Sequence, residues 1–91
     1  VTVKKIALRD PWAPPEWEPA DAAALQALEQ GVADEYQQKR ALSWIINNCA
    51  RTYDLEYNED PRSHAFASGM RNVGLSIVNL LKISLPVLLK K

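Results

Sequence analysis

Cys49 and His64 are the chain's one cysteine and one histidine, and its densest run of carboxylates is Asp54, Glu56, Glu59 and Asp60. These residue types could hold a metal, attack a carbonyl or move a proton. Asp54, Glu56 and Asn58 at alternate positions imitate the opening of an EF-hand calcium loop, but the likeness stops there. The sixth position holds Glu59 where a glycine must make the sharp turn, Pro61 opens a helix inside the loop, and the twelfth position is Ala65 instead of a bidentate glutamate. One Cys with one His gives no zinc spacing. Cys49 falls on an apolar stripe between Ile46 and Tyr53, where a free cysteine packs as a small hydrophobe, so it is expected in the core. His64 follows Ser63 without a suitably spaced acid or a second nucleophile, and reads as a surface or capping residue. With no phosphate loop and no dinucleotide fingerprint either, the expectation is a protein that is not an enzyme and that uses no cofactor and no metal.

What remains is the question of how 91 residues hold together. A chain this short buries roughly 60–65% of its unfolded surface, and neither an internal disulfide nor a metal is there to staple it. Oligomerisation or docking onto a larger body is then the expected source of stability. Eleven basic and eleven acidic residues give a formal net charge of zero, which disfavours a nucleic-acid partner. The charges are nevertheless segregated: residues 21–60 carry eight acids against Lys39, Arg40 and Arg51, and residues 61–91 carry five bases and no acid. Such polarity fits either a helical pair that neutralises itself or head-to-tail contact between charged bodies.

The elements follow from proline, glycine and periodicity. Val1 to Leu8 is too short and too poorly bounded for a strand. Residues 10–19 contain Pro11, Pro14, Pro15 and Pro19 together with Trp12 and Trp17, which predicts an extended N-terminal arm over residues 1–20. Its two tryptophans would either insert into another surface as anchors or fold back onto the chain's own helices. Strong helix formers begin at Asp21, and the stripe Val32, Tyr36, Leu42, Ile45, Ile46, Cys49 and Tyr53 carries the pattern on to about residue 52. The expectation is one long helix with a weak point at Gly31, or two helices that meet there. Unbroken, residues 21–51 would reach about 46 Å, longer than a domain of this size can cover. Asp60-Pro61 is a cap followed by a first-turn proline, and predicts a second helix over 61–85 with Phe66, Met70, Val73, Ile77, Leu80 and Leu81 inward. Gly69 and Gly74 beside that face imply close approach by another element, because a mid-helix glycine costs about 1 kcal/mol. The fold class is thus all-α, a long helical hairpin over residues 21–91 preceded by the arm.

Residues 73–89 hold a single charge and warrant a membrane test. Asn79, Lys82 and Pro86 are costly in a span, and Asn72, Ser76, Asn79 and Ser84 give the helix a polar strip, so membrane contact is disfavoured. No signal-peptide pattern opens the sequence.

Tyr53, Asp60-Pro61, Phe66, Gly69, Arg71, Val73 and Gly74 together resemble the hallmark of the Bbp-nineteen-like phage domain family, short helical proteins from the structural-gene cluster of tailed phages. The likeness covers roughly residues 38–81 and leaves the arm out. It implies a virion protein made in the bacterial host cytoplasm, with portal or head–tail components as partners, and it supplies no catalytic residue. Physical reading and resemblance lead to one expectation: a multi-copy structural subunit on a larger ring, forming a homo-oligomer. Its contacts would be Trp12 and Trp17 on the arm, Tyr53 at the end of the first helix, and Phe66, Gly69, Val73 and Gly74 on the second, with Arg71 paired to an acid such as Asp54 or Glu56 or to a residue on the partner. Two alternatives stand beside it, an internal virion protein that meets the host envelope through residues 73–91, and an assembly or regulatory factor that touches DNA with the basic helix.

Overall fold

A computed structural model describes residues 10–54 and 59–89, with the side chains of Leu85 and Leu88 excepted. The segment Val1–Leu8, Glu56 as a partner for Arg71, and the Lys90-Lys91 tail therefore lie outside the described residues. The chain is mostly helical, with no strand among the described residues. Helix α1 spans Pro19–Glu29 and α2 spans Glu35–Trp44, continuing into a π-helical turn, Ile45–Cys49. Helix α3 spans Pro61–Lys82 and a short α4 spans Leu85–Leu89.

The long first helix is broken, and the reason lies in the backbone. Gly31 has φ of 74°, a left-handed conformation that closes α1 with two hydrogen bonds, Gly31 N–H to the Leu28 carbonyl at 3.1 Å and Val32 N–H to the Ala27 carbonyl at 2.9 Å. This is the Schellman arrangement, which ends a helix instead of bending it. Asp34 then caps α2: its Oδ1 accepts from Gln37 N–H at 2.7 Å, while the Gln37 side chain accepts from Asp34 N–H at 3.2 Å. At the other end α1 starts two residues before the expected Asp21, because Pro19 has its φ fixed for a first helical position. Asp21 instead reaches back from the first turn and accepts from Glu18 N–H at 2.8 Å.

Helices α1 and α2 run antiparallel and meet on Ala24 and Ala41, both fully buried. Helix α3 approaches the π turn but neither α1 nor α2. It ends at Lys82, short of the expected residue 85, where Ile83 turns extended ahead of Pro86. The described residues thus form a helical pair, α1 with α2, and a long helix α3 that meets it at residues 45–54; the break at Gly31 is one of the two forms expected for the first part of the hairpin. Among the described residues, and leaving Pro11 aside, the buried apolar side chains are Ala24, Ala41, Ile46, Ala50 and Val78. Three of the five are alanines, so little apolar area is removed from water.

Two expected core assignments are also corrected. Cys49 is exposed, because the π turn places one extra residue in the helical repeat and carries Ala50, not Cys49, inward. On α3 the buried row is Ser63, Gly74 and Val78, whereas Val73, Leu80 and Leu81 are exposed. The helix meets the Thr52 and Ala50 side chains so closely that only a glycine fits at position 74, which turns this row inward and leaves the row of large side chains outside.

Candidate functional site

The junction residues Ala50, Arg51 and Thr52 organise everything around them. Thr52 is fully buried, and both its backbone N–H and its hydroxyl donate to the Ile46 carbonyl, at 3.0 and 2.8 Å. Against it lies Gly74. A Cβ there would clash with Thr52 Oγ1 and come within 3.1 Å of the Ala50 methyl. A Cβ at Gly69, by contrast, would have nothing within 4 Å, so the close approach expected at both glycines exists at Gly74 alone. Arg71 donates from Nε to the Thr52 carbonyl at 3.0 Å, which ties α3 to the junction a second time.

Arg51 is the residue that composition and spacing did not reveal. Its φ of 50° is left-handed, costly for a residue with a side chain and sustained only where surroundings fix it. The guanidinium is buried and grips the arm: Nη1 donates to the Asp10 carbonyl at 2.6 Å and Nη2 to the Ala13 carbonyl at 2.9 Å, while Nε has no hydrogen-bond partner among the described residues. Between those two carbonyls the arm forms a turn, with Ala13 N–H on the Asp10 carbonyl and Trp12 N–H on Asp10 Oδ1. Pro11 occupies the second turn position, where its fixed φ is favourable, and is buried.

The turn presents Trp12 to the start of α3. Its ring stacks on Phe66 with centroids 4.1 Å apart and planes 13° apart, and its indole N–H donates to Ser63 Oγ at 2.8 Å. The Ser63 hydroxyl in turn donates to Asp60 Oδ2 at 2.9 Å, so Asp60 orients the hydroxyl that receives Trp12. The Ser63 hydroxyl, and after it the Arg62 and Ser63 backbone N–H groups, hold the Asp60 carboxyl below its ordinary pKa against an opposing desolvation. Further along, Trp44 donates from Nε1 to the Glu16 carbonyl at 3.0 Å. Residues 10–18 therefore lie along the chain's own body, with Trp12 still 55% exposed and Trp17 64% exposed.

Two other places gather side chains. Arg40 donates to Asp21 at 2.9 Å, to Tyr36 at 2.7 Å and to Glu18 at 3.1 Å, which locks α2 against the start of α1. The Tyr36 hydroxyl first, and then the Asp21 charge, raise its pKa further above the ordinary arginine value. Between α2 and the outer half of α3 an open groove of about 420 Å³ is lined by Leu42, Ile46, Tyr53, Val78 and Leu81, with Lys39 and Lys82 at its rim. Tyr53 is exposed there and does not enter a core. Of the expected contact residues, then, Trp12 and Phe66 are brought together, Gly74 and Arg71 meet the junction, Tyr53 lines the groove, and Trp17, Gly69 and Val73 face solvent. Arg51, Ser63, Thr52 and Trp44 were missed. The signals for them were slight: one base in an acidic stretch, and one tryptophan in a polar helix.

Among the described residues no group of three His, Cys, Asp or Glu side chains could hold a metal ion. None of their helices is long and apolar enough to cross a membrane. Comparison of the chain with protein-family models, with curated proteins and with solved structures finds no match.

Proposed function

We propose that this chain is a small structural subunit whose fold is completed by assembly, in many copies, on a larger protein body. The observation that carries this reading is the imbalance between core and surface. Five small or medium apolar residues are buried, while Val73, Leu80 and Leu81 on one side of α3 and Leu28, Val32, Trp12 and Trp17 elsewhere are exposed. Full burial of a Val or Leu side chain is worth about 1.5–3 kcal/mol, so covering this surface would add stability at least of the order that Ile46 and Val78 supply inside. The splayed α3 and its open groove give a partner a place to enter.

The setting we propose is a tailed-phage particle, at the portal or head–tail region. It rests on the likeness of Asp60-Pro61, Phe66, Gly69, Arg71, Val73 and Gly74 to the Bbp-nineteen-like pattern, and no catalytic role is proposed. Sedimentation velocity across micromolar concentrations tests the assembly reading: a defined oligomer is expected, and a stable monomer with cooperative unfolding would overturn it. Quantitative mass spectrometry of purified particles tests the setting, with a copy number in a multiple of the portal's symmetry expected and absence from particles contradicting it.

A further inference from the structure

We propose that the stripe Phe66, Val73 and Leu80 on α3 is the seam at which two copies of this chain pair, their α3 helices antiparallel about a two-fold axis between Val73 and Ser76. The proposal rests on the assembly reading above and names the surface that joins the copies.

Helix α3 has two apolar faces. Its inward row, Ser63, Gly74 and Val78, is occupied by the arm and the junction. The stripe lies about 100° round the helix from that row, so covering it leaves the junction contacts in place. Phe66, Val73 and Leu80 recur at intervals of seven, the spacing of a coiled-coil seam. Val73 is 58% exposed and Leu80 65%, and Phe66 stays partly exposed beneath Trp12. The alternate seam positions are Gly69, Ser76 and Ile83. The Ser76 hydroxyl donates to the Asn72 carbonyl of its own helix at 2.9 Å, so it can be covered without leaving a polar group unpaired.

A second copy is selected because this pattern complements its own reverse, as a two-fold interface requires. In the antiparallel pair Gly69 meets Leu80 of the second copy, Val73 meets its Ser76 and Phe66 meets its Ile83, and the axis repeats each pairing. The inner layers thus set a large side chain against a small one, which fills the seam at close approach. The flanks match as well. Met70 and Ile77 border one side of the stripe, Asn72 and Asn79 the other. Antiparallel pairing sets Met70 against Ile77 and Asn72 against Asn79, apolar on apolar and amide on amide. Parallel pairing would stack Gly69 on Gly69 and Ser76 on Ser76, leaving holes, and would press Ile77 against Asn72. Charge agrees. Between Phe66 and Ile83 neither stripe nor flank carries a charged residue: Arg71 is turned to the Thr52 carbonyl, and Lys82 falls on the opposite side of the helix from Leu80. A charged partner helix would find no ion pair there, and a second copy meets no repulsion.

The test uses full-length chains in a Cys49→Ser background, one carrying Gly69→Cys and the other Leu80→Cys, mixed in equal amounts and oxidised. A disulfide between positions 69 and 80 of different chains is expected, identified by mass. Links joining 69 to 69 and 80 to 80 would overturn the antiparallel seam. An oligomer without any of these links would overturn the seam and leave the assembly reading standing, and a monomer at every concentration would overturn both. Val73→Glu gives an independent readout, because position 73 is exposed in the single chain and its substitution leaves the fold intact. Buried in the seam, the two carboxylates should weaken self-association by about 100-fold or more in sedimentation velocity, with helicity by circular dichroism unchanged. An unaltered dissociation constant would overturn the proposal.

Discussion

Gly69 and Gly74 lie five residues apart on one helix and have opposite surroundings. Alanine is a better helix former than glycine by about 1 kcal/mol. At Gly69, with open space around it, Gly69→Ala should add stability of that order and raise the melting temperature by about 4–8 °C, read by thermal circular dichroism. At Gly74 the same methyl meets Thr52, whose hydroxyl cannot swing aside without losing its bond to the Ile46 carbonyl. Overpacking there costs about 1–3 kcal/mol and outweighs the propensity gain, so Gly74→Ala should lower the melting temperature. Asp60 gives a residue-scale prediction in pH. Its folded pKa is depressed, so the contribution is present above the ordinary carboxylate value of about 4 and is lost as pH falls through the folded value. Acidification should therefore loosen the Asp60–Ser63–Trp12 chain of hydrogen bonds, visible as a change in tryptophan fluorescence below about pH 4. Asp60→Asn keeps a good cap and removes the charge, and should remove that component of the transition.

At the scale of elements, punctuation was legible in the sequence and burial was not. Asp60-Pro61 marks a helix start and Gly31 a stop, the first because proline fits a first turn and the second because α1 closes through a left-handed residue, whereas Pro19, read as part of the arm, opens α1 two residues before the expected Asp21. Gly31→Ala places a side chain at φ 74° and should cost about 1–2 kcal/mol, measured by urea denaturation with an unchanged m value. The inward face of α3 was hidden for a physical reason. Periodicity finds the row richest in large apolar residues, and that row holds Phe66, Val73 and Leu80. The helix instead meets the Thr52 and Ala50 side chains, which admit only a glycine at position 74, while Ser63 is covered by Trp12 of the arm. Cys49 was misplaced because a π turn changes the period that the stripe assumed. Arg51 was invisible because its role depends on a left-handed turn and on carbonyls some 40 positions earlier, and neither leaves a local pattern.

For the whole molecule, the charge segregation acquires a location. The acidic span falls on the α1–α2 pair and the junction, and the basic span falls on α3, with Lys39 and Lys82 both at the rim of the groove. If assembly supplies the missing stability, the melting temperature must rise with protein concentration, because association draws on the folded state by mass action. Calorimetry over a hundredfold range of concentration checks this, and a constant melting temperature would contradict the assembly reading. The grip of Arg51 on the arm also bears on how the sequence can drift. It holds the carbonyl oxygens of Asp10 and Ala13 and ignores the Ala13 side chain, so that position is open to substitution across generations. Trp12, Ser63 and Phe66 are read through their side chains, and lineages that change one of them are expected to change another.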